Sequence, residues 1–423
     1  AEPPGGRANW HSLLPSKVFL TAADVLGSLD RMAELGILSP GGHQTDMHRL
    51  TERVRTVAGA RSEAEASELV SRGVRVVPGT ARFRDSHTLE IEDGDHSRTE
   101  LGADSIIVAT GSVPVFPPDL KPNGREVLAP RFVGKLDALP ASMILIGGGV
   151  TGTEFAYAFS RLGVEVTWLV DEFGVLPTFD ADAVEVLVEE LQGRGVKLHP
   201  GVATASLRVH NGVQALLRDG TGFHAESAFI AIGRRPDVGN LNLEAAGLDP
   251  GPIRGVAVDE FCRTRVPHIY AAGDVTGAPM CANRAMAQGF VAGRQAAGGS
   301  SGPYLPDTVI EAVYTDPQIA RVGLSEAAAT KRGIAVRVLR AGYDAPLKAA
   351  LSGETTGFIK LIVHGETNRI LGAGAVGSHA ADVLAPVALG IQLKATLEDC
   401  SGLFAAHPSL AELPFLAARS GRR

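Results

Sequence analysis

The chain has 423 residues, enough for two or three domains of ordinary size, and 45% of them are hydrophobic. Its formal charge of -7 gives no electrostatic reason to expect nucleic acid as a partner. No apolar run reaches the roughly 18 residues that a membrane span needs, so we expect a globular protein. The three cysteines lie far apart, which suits a cytosolic protein, and the twelve histidines show no metal-ligand spacing.

Two parts of the chain repeat each other. Residues 71–81 (SRGVRVVPGTA) match residues 193–203 (GRGVKLHPGVA), and position 73 aligns with position 195, an offset of 122. The segments 109–111 (ATG) and 231–233 (AIG) match at the same offset. An offset shared by two segments predicts two copies of one α/β unit.

The second copy has the pattern of a complete dinucleotide-binding unit. Residues 142–146 are apolar and predict a buried parallel strand, and residues 164–170 predict a second one. Between them Gly147, Gly149 and Gly152 form GxGxxG ahead of a helical pattern. In such a turn the first glycine permits the tight bend, the second lets a pyrophosphate approach, and the third allows close helix packing. The helix N-terminus then binds the phosphates.

The end of the second strand indicates which nicotinamide nucleotide binds. NAD-binding proteins often have an acidic residue there for the ribose hydroxyls, whereas a basic residue accommodates the NADP phosphate. This chain has Val170 followed by Asp171 and Glu172. Asp171 stands one position late, but its carboxylate would repel a 2′-phosphate, so the sequence favours NAD over NADP.

The first copy lacks this opening, because residues 1–60 contain no GxGxxG. Either the opening strand, helix and strand of the repeat precede Ala1, or this copy is degenerate. We favour the first alternative, since Gly5 and Gly6 follow directly where a second strand should have ended.

Several ordered motifs resemble the pyridine-nucleotide disulfide oxidoreductases, the family of lipoamide dehydrogenase. They are residues 5–17 (GGRANWHSLLPSK), 109–111 (ATG), 147–152 with Glu154, 233–236 (GRRP), 270–274 (YAAGD), 314–317 (YTDP) and 407–412 (HPSLAE). The resemblance covers essentially the whole chain. It implies an α/β fold with two Rossmann-like domains, one for FAD and one for NAD, and an α+β dimerisation domain.

The resemblance also implies the domain boundaries. The flavin domain comprises residues 1–120 and 255–300, lacking its first βαβ unit, and the nicotinamide domain comprises residues 121–254. Residues 307–423 form the dimerisation domain of a homodimer. We expect strands near 309–314, 357–363 and 370–376 and helices near 325–332 and 380–392.

This chain departs sharply from the family at the redox helix. Ala8 and Leu13 stand where the family has its two redox-active cysteines. Neither side chain can form a thiolate or a mixed disulfide. Dithiol substrates are therefore poor candidates, and we expect no lipoamide dehydrogenase activity.

The flavin machinery of the family remains. By resemblance, Lys17 and Glu154 form the ion pair beside the flavin N5, and Asp274 binds ribityl or ribose hydroxyls of the flavin. The remaining residues expected to line the cofactor sites are Gly5, Gly6, Ala109, Thr110, Gly111, Gly233 and Gly273.

His407 and Glu412 match a histidine–glutamate pair that serves the cysteine thiol across the family's dimer interface. Two interpretations stay open here. His407 could protonate a reduced quinone, since an imidazole titrates near neutrality, or the pair could be a relic that packs the interface.

These observations predict an FAD-dependent enzyme that passes electrons from NADH to a small acceptor such as a quinone, without a disulfide. Some cysteine-poor members of the family are quinone reductases. A catalytically silent NAD-binding or structural protein is the alternative from another class. A soluble transhydrogenase is a further one, although Asp171 argues against the NADP that it requires.

Overall fold

The computed structural model describes residues 3–32, 44–249 and 255–421, so the predicted boundary at residue 254 lies outside the described residues. The helices are α1 (Gly6–His11), α2 (Leu13–Asp30), α3 (Met47–Ser71), α4 (Val150–Arg161), α5 (Ala181–Gly193), α6 (Ala282–Ala296), α7 (Glu326–Lys331), α8 (Leu347–Ser352), α9 (Ala380–Val383), α10 (Ala385–Gln392), α11 (Leu397–Ser401) and α12 (Leu413–Ser420).

The strands in the first half of the chain are β1 (Thr80–Phe83), β2 (Thr88–Glu92), β3 (Arg98–Gly102), β4 (Ile106–Val108), β5 (Ser112–Pro114), β6 (Val127–Leu128), β7 (Ser142–Ile146), β8 (Glu165–Leu169), β9 (Lys197–His199) and β10 (Thr204–Val209). Those in the second half are β11 (Val213–Leu217), β12 (Gly222–Ala225), β13 (Ser227–Ile230), β14 (Arg234–Pro236), β15 (Ile269–Ala271), β16 (Glu311–Val313), β17 (Gln318–Gly323), β18 (Val336–Gly342), β19 (Phe358–His364) and β20 (Ile370–Gly377).

The chain divides into two compact units. The first consists mainly of Glu65–Val115 with Gly233–Val309, and the second of Pro4–Ala64, Phe116–Ile232 and Ile310–Arg423. Among the described residues, no helix is both long and apolar enough to cross a membrane.

A parallel sheet forms the centre of the second unit, with strand order β6-β13-β7-β8-β9. Strand β7 lies in the middle of this sheet, and its residues 143–146 are buried. A parallel strand that is covered on both faces is apolar along its whole length. Helix α4 follows β7 and packs on the sheet through Phe155, whose ring centroid lies 4.4 Å from that of Phe229 in β13. The predicted βαβ unit is therefore confirmed.

Helix α2 belongs to the same core as α4. Phe19, Leu20 and Ala23 are at most 3% exposed and share one apolar cluster with Phe155 and Phe159 of α4. Burial of these side chains fixes the two helices against each other, which places the polar residues on α2 beside those on α4.

An antiparallel sheet, β16-β17-β20-β19-β18, carries the C-terminal part of the second unit. The strands expected near 309–314, 357–363 and 370–376 are β16, β19 and β20, and helices α7, α9 and α10 occupy the predicted helical stretches. The sequence prediction for this part of the chain is confirmed at the level of its elements.

The repeat is visible in the strand order. Each copy has a three-stranded antiparallel sheet, β1-β2-β3 or β10-β11-β12, followed by the equivalent strands β4 and β13. Strand β13 pairs with β6 on one edge and β7 on the other, whereas in the described residues β4 pairs with β15 alone. Residues 75–77, which correspond to β9 at the offset of 122, form no strand.

A buried ion cluster joins β19 to the start of α5. Lys360 is 1% exposed, and its ammonium lies 3.0 Å from Asp180 Oδ2 and 2.9 Å from Asp182 Oδ1. Burial raises the pKa of Asp182, but the hydrogen bond and charge of Lys360 outweigh it and hold that pKa below its ordinary value. A buried ammonium of this kind requires its carboxylates.

We predict that Lys360→Met lowers the free energy of unfolding by about 3 kcal/mol, because it leaves two carboxylates without their buried partner. The matched control is Lys197→Met. Lys197 pairs with Glu165 where both side chains are more than half exposed, so its loss should cost less than about 1 kcal/mol. Urea unfolding of the two variants measures both effects, and equal losses would contradict the assignment.

Candidate active site

The glycine turn between β7 and α4 has one position that faces open space. A Cβ on Gly147 would lie 2.3 Å from Ala231 O, and one on Gly152 would lie 2.0 Å from Gly147 O. Both positions therefore require glycine for the fold itself. A Cβ on Gly149 would meet nothing within 4 Å, and its φ of −76° suits any residue. Glycine at this position keeps room beside the N-terminus of the 12-residue helix α4, which fits the approach of a pyrophosphate.

Asp171 and Glu172 follow the C-terminal end of β8, the strand that pairs in parallel with β7 ahead of the glycine turn. Both are exposed, and Asp171 Oδ1 accepts a hydrogen bond of 3.1 Å from Phe173 N–H. The carbonyl of Gly174 would lie 2.4 Å from a Cβ on Gly148. The acidic turn thus packs directly against the glycine turn.

Lys17 of α2 and Glu154 of α4 form an ion pair. Lys17 Nζ donates to Glu154 Oε1 at 2.6 Å, and the Glu154 side chain is only 4% exposed. The same oxygen accepts the backbone N–H of Tyr314 at 3.1 Å. The Lys17 side chain is 30% exposed, whereas the carboxylate that it contacts is buried.

A second polar contact joins the same helices, and the sequence analysis missed it. Tyr157 of α4 donates its hydroxyl to Asp24 Oδ1 of α2 at 2.8 Å. Burial raises the pKa of Asp24, and it raises the pKa of Tyr157 as well, with the charge of Asp24 acting in the same direction. The phenol therefore keeps its proton and can act as the donor in this hydrogen bond.

A third set of polar contacts, which was also not predicted, is formed by the carboxylate of Asp316. Its Oδ2 lies 3.0 Å from Nη1 of Arg31, the residue that follows α2, 3.1 Å from Arg161 Nη2 of α4 and 3.5 Å from Arg194 Nη2. Lys17, Asp24 and Arg31 are spaced by seven residues, which places them on one face of α2. That spacing of alternating charges is the signal from which these contacts could have been predicted.

The positions that replace the redox cysteines lie on the two N-terminal helices. Ala8 in α1 is exposed, and Leu13 at the start of α2 is 36% exposed.

Burial raises the pKa of Cys400, and it raises that of Cys262 to about 11. Neither of these two thiols supplies a thiolate near neutral pH.

Asp274 lies in the first unit, in the 3-10 turn Gly273–Thr276 after β15. Ser112 Oγ donates to Asp274 Oδ2 at 2.5 Å, and Arg234 Nε donates to Ser112 Oγ at 2.8 Å. The pairing of β5 with β14 brings Ser112 and Arg234 together. The carboxylate is thus oriented by a hydroxyl and a guanidinium that the sequence analysis did not consider.

The other predicted cofactor residues lie at the ends of helices and strands. Gly5, Gly6, Gly111, Gly233 and Gly273 all have positive φ, between 51° and 114°, where glycine is favoured. Ala109 and Thr110 are exposed after β4, and Thr110 Oγ1 donates to Asp237 O at 2.7 Å.

His407 and Glu412 lie together in the second unit. His407 Nδ1 is 3.0 Å from Glu412 Oε1, and the histidine side chain is 62% exposed. The hydrogen bond from His407, together with the backbone N–H of Ser409, lowers the pKa of Glu412. In the part of the chain that the structure describes, no group of three or more His, Cys, Asp or Glu side chains could hold a metal ion.

Comparison with known proteins decides the family. Residues 5–289 match the family "Pyridine nucleotide-disulphide oxidoreductase", and residues 309–418 match its dimerisation domain. The chain belongs to the pyridine nucleotide-disulphide oxidoreductase family. It therefore has the predicted α/β architecture of FAD and NAD Rossmann domains with a dimerisation domain, and it is a flavin- and NAD(P)H-dependent oxidoreductase by family.

Several family members resemble this chain closely. An NAD(P)H dehydrogenase (quinone) of Mycobacterium tuberculosis is 33% identical over 96% of this chain and 84% of its own length. Dihydrolipoyl dehydrogenase 2 of Haloarcula marismortui is 31% identical over 99% of this chain and 89% of its own length. The crystal structure of LpdA from Mycobacterium tuberculosis superposes with a TM-score of 0.93 at 33% identity, covering 99% of this chain and 92% of that one.

We predict that Gly149→Ala weakens NADH binding about tenfold or more, since the new methyl group occupies the space kept for the pyrophosphate. Its stability should not fall, because that methyl group meets no protein atom within 4 Å. Gly193→Ala in α5, which is equally open, should bind NADH like the wild type. Calorimetric titration with NADH measures the affinities, and an unchanged affinity for Gly149→Ala would rule out this turn as the nucleotide site.

Proposed function

We propose that this protein transfers two electrons from NADH through FAD to a small acceptor of the quinone class, without a redox-active disulfide. The observation that supports this proposal most is the Lys17–Glu154 ion pair of 2.6 Å on a chain that has Ala8 and Leu13 in place of the cysteines. The groups proposed to act next to a flavin are kept, while those that would pass electrons to a dithiol are not.

The proposed reaction balances as NADH, a proton and a quinone giving NAD⁺ and a quinol. A bound flavin would supply the redox chemistry, accepting a hydride equivalent and returning electrons to the acceptor. Lys17 would place a positive charge where negative charge develops on the reduced ring. Glu154 holds that ammonium from its buried side, so the cation keeps its position through the reaction.

The residues that would hold FAD in this chain are few. In the first unit, Asp274, oriented by Ser112, would offer a carboxylate to ribityl or ribose hydroxyls of the flavin. Residues 1–120 with 255–300 would form this domain, and residues 121–254 the nicotinamide domain. The described residues of the first copy contain no glycine turn equivalent to residues 147–152.

Two acidic side chains support a preference for NADH over NADPH. Asp171 and Glu172 are exposed after β8, beside the glycine turn. Their negative charges would repel the 2′-phosphate of NADPH, whereas a ribose hydroxyl can donate to a carboxylate.

The match to the dimerisation domain supports a homodimer. In that assembly His407, held by Glu412, would reach the partner's acceptor site, where it could donate a proton to the reduced quinone. The relative that is an NAD(P)H dehydrogenase (quinone) supports the same acceptor class.

A second candidate function is that of a catalytically silent protein that binds NAD. The observation that favours it is that Ala8 and Leu13 stand in place of the two cysteines, while the glycine turn between β7 and α4 is intact. The two functions differ in whether the purified protein oxidises NADH.

We predict NADH oxidation with a water-soluble naphthoquinone, slower oxidation with NADPH, and no reduction of NAD⁺ by dihydrolipoamide. Lys17→Met should lower kcat about tenfold or more, because the developing charge loses its cation. Lys121→Met, which changes an exposed lysine, should leave kcat unchanged. Steady-state kinetics at 340 nm measure these rates. Turnover of dihydrolipoamide, or wild-type kcat in Lys17→Met, would overturn the proposal.

A further inference from the structure

We infer that Tyr314 is a positioning residue whose ring fixes the ammonium of Lys17 at the proposed flavin site. Lys17 Nζ lies 4.6 Å from the centroid of the Tyr314 ring, over its face. The face of an aromatic ring carries partial negative charge and attracts a cation within about 6 Å. This inference rests on the proposed function only for the role of Lys17, since the contact itself is a property of the fold.

Tyr314 contacts both members of the ion pair. Its ring lies beneath the Lys17 ammonium, while its backbone N–H donates to the same Glu154 oxygen that Lys17 contacts. An ammonium has three N–H donors. Glu154 accepts a hydrogen bond from one of them, which leaves donor capacity for a ligand.

The chain around Tyr314 is anchored at both ends. On one side, Val313 pairs with Ile319 of β17 in the antiparallel sheet. On the other side, Asp316 is held by three arginines, of which Arg161 ends α4 and Arg31 directly follows α2. The backbone that carries Tyr314 is therefore tied to the helices of the ion pair, while the Tyr314 side chain is 38% exposed.

This arrangement explains why a flexible lysine can act at a defined point. A lysine side chain has several rotatable bonds and loses considerable rotamer freedom when it is held in one position. Glu154 alone fixes the distance between its Oε1 and Lys17 Nζ, but the Lys17 side chain can still rotate towards solvent. The Tyr314 ring restricts that rotation, so that the cation is already in place when the ligand binds.

The test compares Tyr314→Leu, which removes the ring but keeps the backbone N–H, with Tyr314→Phe, which keeps the ring. Phe290→Leu is the matched control. It removes an exposed ring that lies 5.5 Å from Arg294 on α6, in the other unit. Each change is made in the wild type and in Lys17→Met, which gives a double-mutant cycle.

The first measurement is the rate of flavin reduction by saturating NADH in stopped flow. We expect Tyr314→Leu to slow it about fivefold, Tyr314→Phe and Phe290→Leu to stay within about twofold, and Tyr314→Leu to have no further effect in the Lys17→Met background. Additive effects of the two changes would overturn the inference. A wild-type rate in Lys17→Met would instead refute the role of Lys17, and hence the proposed function.

The second measurement needs no cofactor. In urea unfolding of the protein without flavin, the losses caused by Tyr314→Leu and Lys17→Met should be less than additive, because both remove one contact. Strictly additive losses would show that the ring does not hold the ammonium.

Discussion

A single buried carboxylate organises the second unit of this protein. Glu154 is 3–4% exposed on α4, whose residues 152–159 are all buried. An ionised carboxylate in such a place is stable only with close partners, and its removal from water has a large free-energy cost without them. Lys17 and the backbone of Tyr314 provide those partners. The positions of α2 and of the segment after β16 are therefore tied to the position of α4.

Helix α4 contributes both to the proposed nicotinamide site and to the Lys17–Glu154 ion pair. Its N-terminus follows the glycine turn and is available to the phosphates of a dinucleotide. One turn later it carries Glu154, and after that Tyr157 and Arg161, which contact Asp24 and Asp316. The proposed nicotinamide site and the ammonium of Lys17 thus depend on one rigid element, so a nucleotide bound at the turn has a fixed relation to that cation.

The sequence predicted the parts of the fold that follow local patterns. The apolar run 142–146, the spacing of the glycines and the offset of the repeat each specify local backbone geometry, and the structure has β7, α4 and the paired sheets accordingly. The partners of Asp24 and Asp316 were not predicted, because residues 122 or more positions away in sequence supply them. Tyr314 was recognised only as part of a motif. Its contact with Lys17 depends on tertiary packing that no local pattern encodes.

The absence of the cysteine pair changes how the remaining groups are interpreted. In a chain with Ala8 and Leu13, the ion pair beside the proposed flavin site has no disulfide to serve, and His407 has no thiol to deprotonate. Each group is still held in a defined geometry by a named partner. Their retention is most simply explained by electron transfer that ends at the flavin and its small acceptor.

An anaerobic titration of the purified protein with NADH, followed by visible absorption, tests this account most directly. A flavin accepts two electrons, and a redox-active disulfide would accept two more. We expect the flavin bands to bleach completely with one equivalent of NADH per flavin, without a long-wavelength thiolate charge-transfer band. Consumption of a second equivalent with such a band, or a protein with no flavin absorption, would contradict it.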